Sequence, residues 1–258
     1  MPKERPCVLS IAGFDPSGGA GVLADIKTFE QHKVLGMGAV TGLTFQNDSE
    51  FDGVKWIETD EIIKQTEVLT RKFKFEFIKV GLIKDLQTLE VVISSLKSLR
   101  KESFGQVSSL KIIWDPILKA STGFEIHKAI DKKKIADIYK NIYLITPNTD
   151  EIKILTGEID EMQGAKELSK YCNVLLKGGH REKKKGYDYL FTTDGKIFSF
   201  RPKKISEIGK HGSGCVLSSA ITANLANGND LQRSCLKGKD YVTKYLMSSK
   251  TLLGYHKS

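Results

Sequence analysis

Seven residues, "GKHGSGC" from Gly209 to Cys215, gather three glycines, a histidine, a serine and a thiol just ahead of the helical pattern Gly214–Asn227. The first turn of a helix carries N–H groups with no intrahelical partner and the positive end of the helix dipole. Glycines let backbone approach a ligand closely, so such a mouth suits an anion, phosphate above all. A thiol placed there can act as base or nucleophile. A second reading makes the stretch a tight turn with Ser213 as helix cap and Cys215 as packing. The density of glycine favours the ligand.

Other polar clusters follow apolar, β-rich runs. The runs Cys7–Gly13, Gly38–Gln46, Phe77–Ile83, Lys111–Asp115, Ile142–Thr146 and Asn173–Gly179 read as strands. "GFDPSGGAG" follows the first, "QNDSE" the second, "DPILKASTG" the fourth, "TPNTDE" the fifth and "KGGH" the sixth. Helical spacing in Gly21–Lys33, Glu61–Phe73, Leu86–Arg100 and Asp230–Leu253 places helices between and after them. Alternating strands and helices predict an α/β fold, its mainly parallel sheet covered on both faces. Ligands of such sheets bind beyond the carboxyl ends of the strands, so five clusters on one edge read as a site. "YDYLFTTDGKIFSF", with Asp194-Gly195 at its centre, predicts a hairpin at the sheet margin. No GxxxxGK[ST] loop is present. "GMGAVTG", Gly36 to Gly42, lacks dinucleotide-loop spacing and reads as a helix-ending turn leading into a strand.

The chain has 258 residues, suited to a single domain over 1–258, and a net charge of +9. Its lysine runs Asp131–Lys134 and Arg181–Lys185 contain no aromatics and read as solvated surface, not as nucleic-acid patches. Cysteines 7, 172, 215 and 235 form no CxxC and no metal-like spacing with histidine, which suggests a reducing compartment. No apolar run is long enough for a membrane span, and a cytoplasmic protein without membrane or nucleic-acid partners is expected.

The ordered set "SIAGFDPSGGAGVLADIKTF", "TFQND", "WDPILKASTG", "ITPNTDE", "LLKGGH" and "HGSGC" covers nearly the whole chain. It resembles the hydroxymethylpyrimidine/phosphomethylpyrimidine kinases of thiamine synthesis, within the ribokinase-like superfamily. The resemblance implies a three-layer αβα sandwich, ATP with Mg²⁺, and often a homodimer; whether a monovalent cation assists stays open. The implied substrates are 4-amino-5-hydroxymethyl-2-methylpyrimidine and then its monophosphate. Pyridoxal-type substrates are the alternative on the same scaffold.

Motif by motif, the resemblance puts Gly13 near the substrate ring, Asp25 within hydrogen-bonding reach and Gln46 on the aminopyrimidine edge. It gives Asn148 and Glu151 to the nucleotide and Mg²⁺, with Asp115 joining the metal shell, and Lys177 to the ATP phosphates. Gly212, Ser213, Gly214 and Cys215 become the anion hole, with Cys215 the base where most of the superfamily has aspartate. A thiol near pKa 8.5 lies ~7 below a primary alcohol, roughly as weak an acid as water, a gap of ~10 kcal/mol. The proton must therefore leave late in phosphoryl transfer. The helix N-terminus is expected to lower the thiol's pKa.

Lys210 stands where the family commonly has threonine, and is expected to meet the phosphates or point to solvent. Ser213 replaces a threonine, and Leu82 sits where several relatives place methionine against the ring. Lys119 and Ser121 depart from an apolar-then-lysine pattern. Two weaker rivals are a basic nucleic-acid-binding module and a cysteine hydrolase pairing Cys215 with His211, for which no residue to orient the histidine is evident.

Overall fold

Apolar residues alternate in direction along every central strand. Val8, Phe77, Ile113, Leu144 and Leu175 enter one core, while Leu9, Ile78, Ile112, Ile145 and Val174 enter another. A sheet buried on both faces therefore produces the near-continuous apolar runs seen in the sequence. The computed structural model describes residues 4–104, 110–118, 132–179, 184–206 and 209–257. Lys119, Ser121 and His180 lie outside the described residues, as do parts of both lysine runs.

The strands are β1 (Cys7–Phe14), β2 (Leu35–Gln46), β3 (Phe51–Trp56), β4 (Phe77–Val80), β5 (Lys111–Trp114), β6 (Leu144–Ile145), β7 (Asn173–Leu176), β8 (Asp188–Phe191) and β9 (Ile197–Phe200). They form one sheet in the order β3-β2-β1-β4-β5-β6-β7-β8-β9. The pairs from β2 through β7 are parallel, and β3, β8 and β9 join antiparallel at the margins.

One face is covered by α1 (Gly21–Gln31), α7 (Ser213–Ala226) and α8 (Leu231–Leu246). The other is covered by α2 (Thr59–Thr70), α3 (Leu86–Phe104), α4 (Lys132–Tyr139), α5 (Thr149–Thr156) and α6 (Glu161–Leu168). These are the three layers expected of a ribokinase-like sandwich, with the β8–β9 hairpin at one margin as predicted.

Four boundaries differ from the sequence reading. Gly36–Gly42 is not a turn but the first half of β2. A Cβ at Gly36 would stand 2.7 Å from Phe29, and one at Gly38 2.5 Å from Val22, so these glycines let α1 lie against the strand. "QNDSE" is the turn of a second marginal hairpin, with Asn47 Oδ1 accepting from the Ser49 and Glu50 N–H groups. The eight-residue helices α5 and α6 were hidden by their brevity. Finally, α8 stops at Leu246, and the chain beyond returns toward residues 210–211 instead of continuing helically to Leu253.

Candidate active site

The mouth of α7 is built from glycine for steric reasons. Gly212 caps the helix in the left-handed region, with φ +70°, and a Cβ there would lie 1.9 Å from the Gly19 carbonyl oxygen. Gly21, φ +61°, is equally constrained, 2.1 Å from the Gly13 oxygen. The two glycine-rich loops thus interlock backbone against backbone. No side chain caps α7, and Ser213 is its first residue rather than its cap. The first-turn N–H groups of Gly214 and Cys215 are left for a ligand.

Cys215 is buried just inside this mouth, with the Gly21 N–H donating to its sulfur. Burial pushes the thiol up to about 11, against the lowering influence of the Lys79 ammonium and with further raising by Asp115 and Asp25. The expected lowering at the helix N-terminus is therefore overturned: desolvation and two carboxylates outweigh the dipole.

Lys79 on β4 and Asp25 on α1 form a fully buried ion pair at 2.8 Å. Ser10 and Ser219 donate to the same carboxylate at 2.5 and 2.6 Å. Burial disfavours the Lys79 charge, but Asp25, Cys215 and Asp115 hold its ammonium above the ordinary lysine range. Asp25 is consequently neither a surface charge nor open to a substrate. Its oxygens are filled by Lys79, Ser10 and Ser219.

A second cluster stands at the ends of β5, β6 and β7. Lys177 Nζ donates to Asp115 Oδ1 at 2.8 Å and lies 3.7 Å from Glu151 Oε2. Thr146 and Ser218 donate to Asp115 as well. Burial works against the Asp115 charge, yet Lys177 and Lys79 hold its carboxyl below the usual range. Glu151 is pushed up to about 7 by burial, which Lys177 offsets only in part and to which the Asp115 charge adds. Asn148 caps α5 by accepting from Asp150 and Glu151, and Glu151 accepts from the Asn148 N–H at 2.7 Å. A Cβ on Gly214 would come within 3.4 Å of Lys177 Nζ and 3.8 Å of Asp115 Oδ2, which places this cluster at the α7 mouth.

Toward the other side, a Cβ on Gly13 would collide with Leu82 at 2.6 Å, so the two stand in contact. Gln46 is half-buried, its Nε2 donating to Thr44, whose hydroxyl donates to the Phe14 carbonyl. The ends of β1, β2 and β4 thus gather Gly13, Leu82 and Gln46.

A model of the phosphomethylpyrimidine kinase family matches residues 15–257. The chain belongs to that family. A hydroxymethylpyrimidine/phosphomethylpyrimidine kinase from Aquifex aeolicus (strain VF5) is 35% identical over 254 residues, 95% of each chain. The crystal structure of phosphomethylpyrimidine kinase from Clostridium difficile 630 has a TM-score of 0.76 at 27% identity, covering 93% of this chain and 99% of that one. The pyridoxal kinase from Staphylococcus aureus in complex with ADP reaches 0.82 at 23% identity, over 97% of this chain and 91% of its own, and shares the fold.

Within this family member, Lys79 and Asp15 escaped the sequence reading, while His211 and Lys210 were named in it without their partners. Lys79 was hidden inside an apolar run. His211 does have an orienting partner: its Nε2 lies 2.8 Å from Asp15 Oδ2. Burial opposes the Asp15 charge, but hydrogen bonds from His211, Ser17 and Ala20 hold that carboxyl below its ordinary value. Lys210 is buried and turned toward Ser249 and Thr251, so it neither meets the phosphates nor points to solvent. The "DPSGG" motif held the signal for Asp15, since aspartate before a glycine turn binds backbone N–H groups.

Proposed function

We propose that this chain transfers the γ-phosphoryl group of ATP to the hydroxymethyl oxygen of 4-amino-5-hydroxymethyl-2-methylpyrimidine and then phosphorylates the monophosphate, within thiamine diphosphate biosynthesis. The carrying observation is the family match along residues 15–257, joined by a relative of that name at 35% identity over 95% of the chain.

In this reading Gly13, Leu82 and Gln46 hold the pyrimidine, with Gln46 offering an amide that donates and accepts. Asp25 bears on the substrate indirectly, through Lys79. Lys177 and Asn148 face the nucleotide phosphates, and the N–H groups from Gly212 to Cys215 receive the transferred group. Among the described residues no three His, Cys, Asp or Glu side chains converge as a metal cage. Mg²⁺ needs none, because it binds through one or two carboxylates, water and phosphates. Asp115 and Glu151 fit that demand, two buried carboxylates sharing one lysine. The ion's chemistry there is neutralisation of phosphate charge.

The hydroxymethyl oxygen forms its bond to the γ-phosphorus as the bond to the ADP oxygen breaks, and the hydroxyl proton passes to the Cys215 sulfur. A thiol at about 11 still lies ~5 below a primary alcohol, or ~7 kcal/mol, so the transfer is late. Only thiolate can accept. Lys79 favours it and Asp115 opposes it, so positive charge arriving beside Asp115 shifts Cys215 toward its active form. The same reading carries a homodimer and a cytoplasmic location.

Initial rates of ADP formation with hydroxymethylpyrimidine, its monophosphate and pyridoxal, side by side, test the assignment. The two pyrimidines are expected to dominate. Faster pyridoxal turnover would overturn it.

A further inference from the structure

Lys210 is 5% exposed, two residues ahead of the Gly212 cap. Its Nζ donates to the Ser249 carbonyl at 3.0 Å, the Ser249 hydroxyl at 2.9 Å and the Thr251 carbonyl at 2.5 Å. An ammonium has three protons and no acceptor, so these contacts saturate it. All three partners are neutral oxygens and none is a carboxylate. A buried charge held only by oxygen dipoles is costly unless its geometry is fixed. Such a cage suits a dehydrated monovalent cation as well as it suits a lysine head.

The cage lies against the anion-hole loop. The next residue, His211, donates its N–H to the Leu252 carbonyl at 3.0 Å, and its own carbonyl accepts from the Tyr245 hydroxyl. The Lys210 carbonyl accepts from the Ser213 N–H at the start of α7. Residues 249–252 therefore form a strap across the loop, cross-linked to it by one side chain and one peptide group.

We propose that Lys210 is a built-in monovalent cation: its ammonium fills the oxygen cage between strap and loop, fixes the α7 mouth, and makes a dissociable potassium or ammonium ion unnecessary for turnover. Lys210 is thus a positioning residue rather than a catalytic one. The rate arm of the test rests on the kinase reading; the melting arm does not.

Wild type is assayed in potassium, ammonium and tetramethylammonium chloride at equal ionic strength, and kcat is expected to be the same in all three. Lys210→Gly in tetramethylammonium chloride should lose about 10²-fold in kcat, the scale of a misplaced catalytic loop, with a smaller change in KM. Ammonium or methylammonium chloride should restore part of that loss saturably. The same salts should raise the melting temperature of Lys210→Gly above its value in tetramethylammonium chloride, and leave wild type unmoved. A failed substrate assignment abolishes the rate arm in every salt and spares the melting difference. Potassium-dependent wild-type turnover would overturn the proposal, as would an unimpaired Lys210→Gly or one whose rate and melting ignore ammonium. Should Lys210→Gly not fold, Lys210→Thr replaces it with the same expectations, and the wild-type salt series stands without either variant.

Discussion

Two buried lysine–aspartate pairs serve the site, and they are built to opposite ends. Lys79–Asp25 is sealed: both partners are 0% exposed, and Ser10 and Ser219 occupy the carboxylate's remaining directions. Lys177–Asp115 is open: the lysine retains 14% exposure and a second carboxylate, Glu151, stands 3.7 Å away. The closed pair balances its charge and leaves nothing for a ligand. The open cluster carries two carboxylates on one lysine, and burial, with the Asp115 charge adding to it, pushes Glu151 up to about 7. Cys215 feels the field of both: burial raises it most, Lys79 lowers it and Asp115 raises it further. A sealed pair sets a fixed field, and an unbalanced one waits for charge.

The largest effect is expected at the group under the field of both pairs. Cys215→Ala removes the proposed proton acceptor while keeping the backbone N–H groups of α7. Phosphoryl transfer should fall by about 10²–10⁴-fold with ADP affinity nearly unchanged. Cys215→Asp should recover part of the rate. Single-turnover kinetics and calorimetric ADP titration check this, and a fully active Cys215→Ala would remove the thiol from proton transfer. An adduct on the sulfur by intact mass would instead favour the nucleophile that His211 and Asp15 make conceivable.

Next comes the contrast itself. Lys79→Met strands Asp25 in the core and should cost about 3–5 kcal/mol of stability in urea unfolding. Lys177→Met should cost less, because Glu151 can take up a proton near neutrality, but should raise the KM for ATP more than Lys79→Met does. Equal unfolding losses would erase the distinction between sealed and open pairs. The smallest effect lies farther from both. Gln46→Leu leaves a substrate amine unpaired, at about 1–3 kcal/mol, so kcat/KM for the pyrimidine should drop roughly ten- to hundredfold with ATP kinetics preserved. Unchanged pyrimidine kinetics would take Gln46 out of the site.

What the sequence displayed was local. Glycine loops, strand-end clusters and the Asp194-Gly195 turn each declare themselves within a few residues, and with them the sandwich and most candidate positions. What it concealed spans the chain. Lys79 sits in an apolar strand and its partner Asp25 lies 54 residues earlier, so periodicity cannot pair them. Lys210 looked free because its cage comes from a strap 39 to 41 residues later. The pKa of Cys215 was misjudged for a related reason: the helix dipole is visible in the local pattern, whereas burial and distant carboxylates are not. Helix α7 is buried from Cys215 through Leu225, so it lacks the polar stripe that would have revealed its packing.

The interlock of the Gly19 and Gly212 loops joins opposite ends of the chain. Asp15 meets His211 across 196 residues, and Asp25 meets Ser219 across 194. At the usual pace of protein synthesis the early partners wait roughly 10–40 s for the late ones to be made. Throughout that interval the central strand β1 exists without α7, which together with α1 shields it on one face. A nascent chain of this design has no α7 mouth until Cys215 has been made.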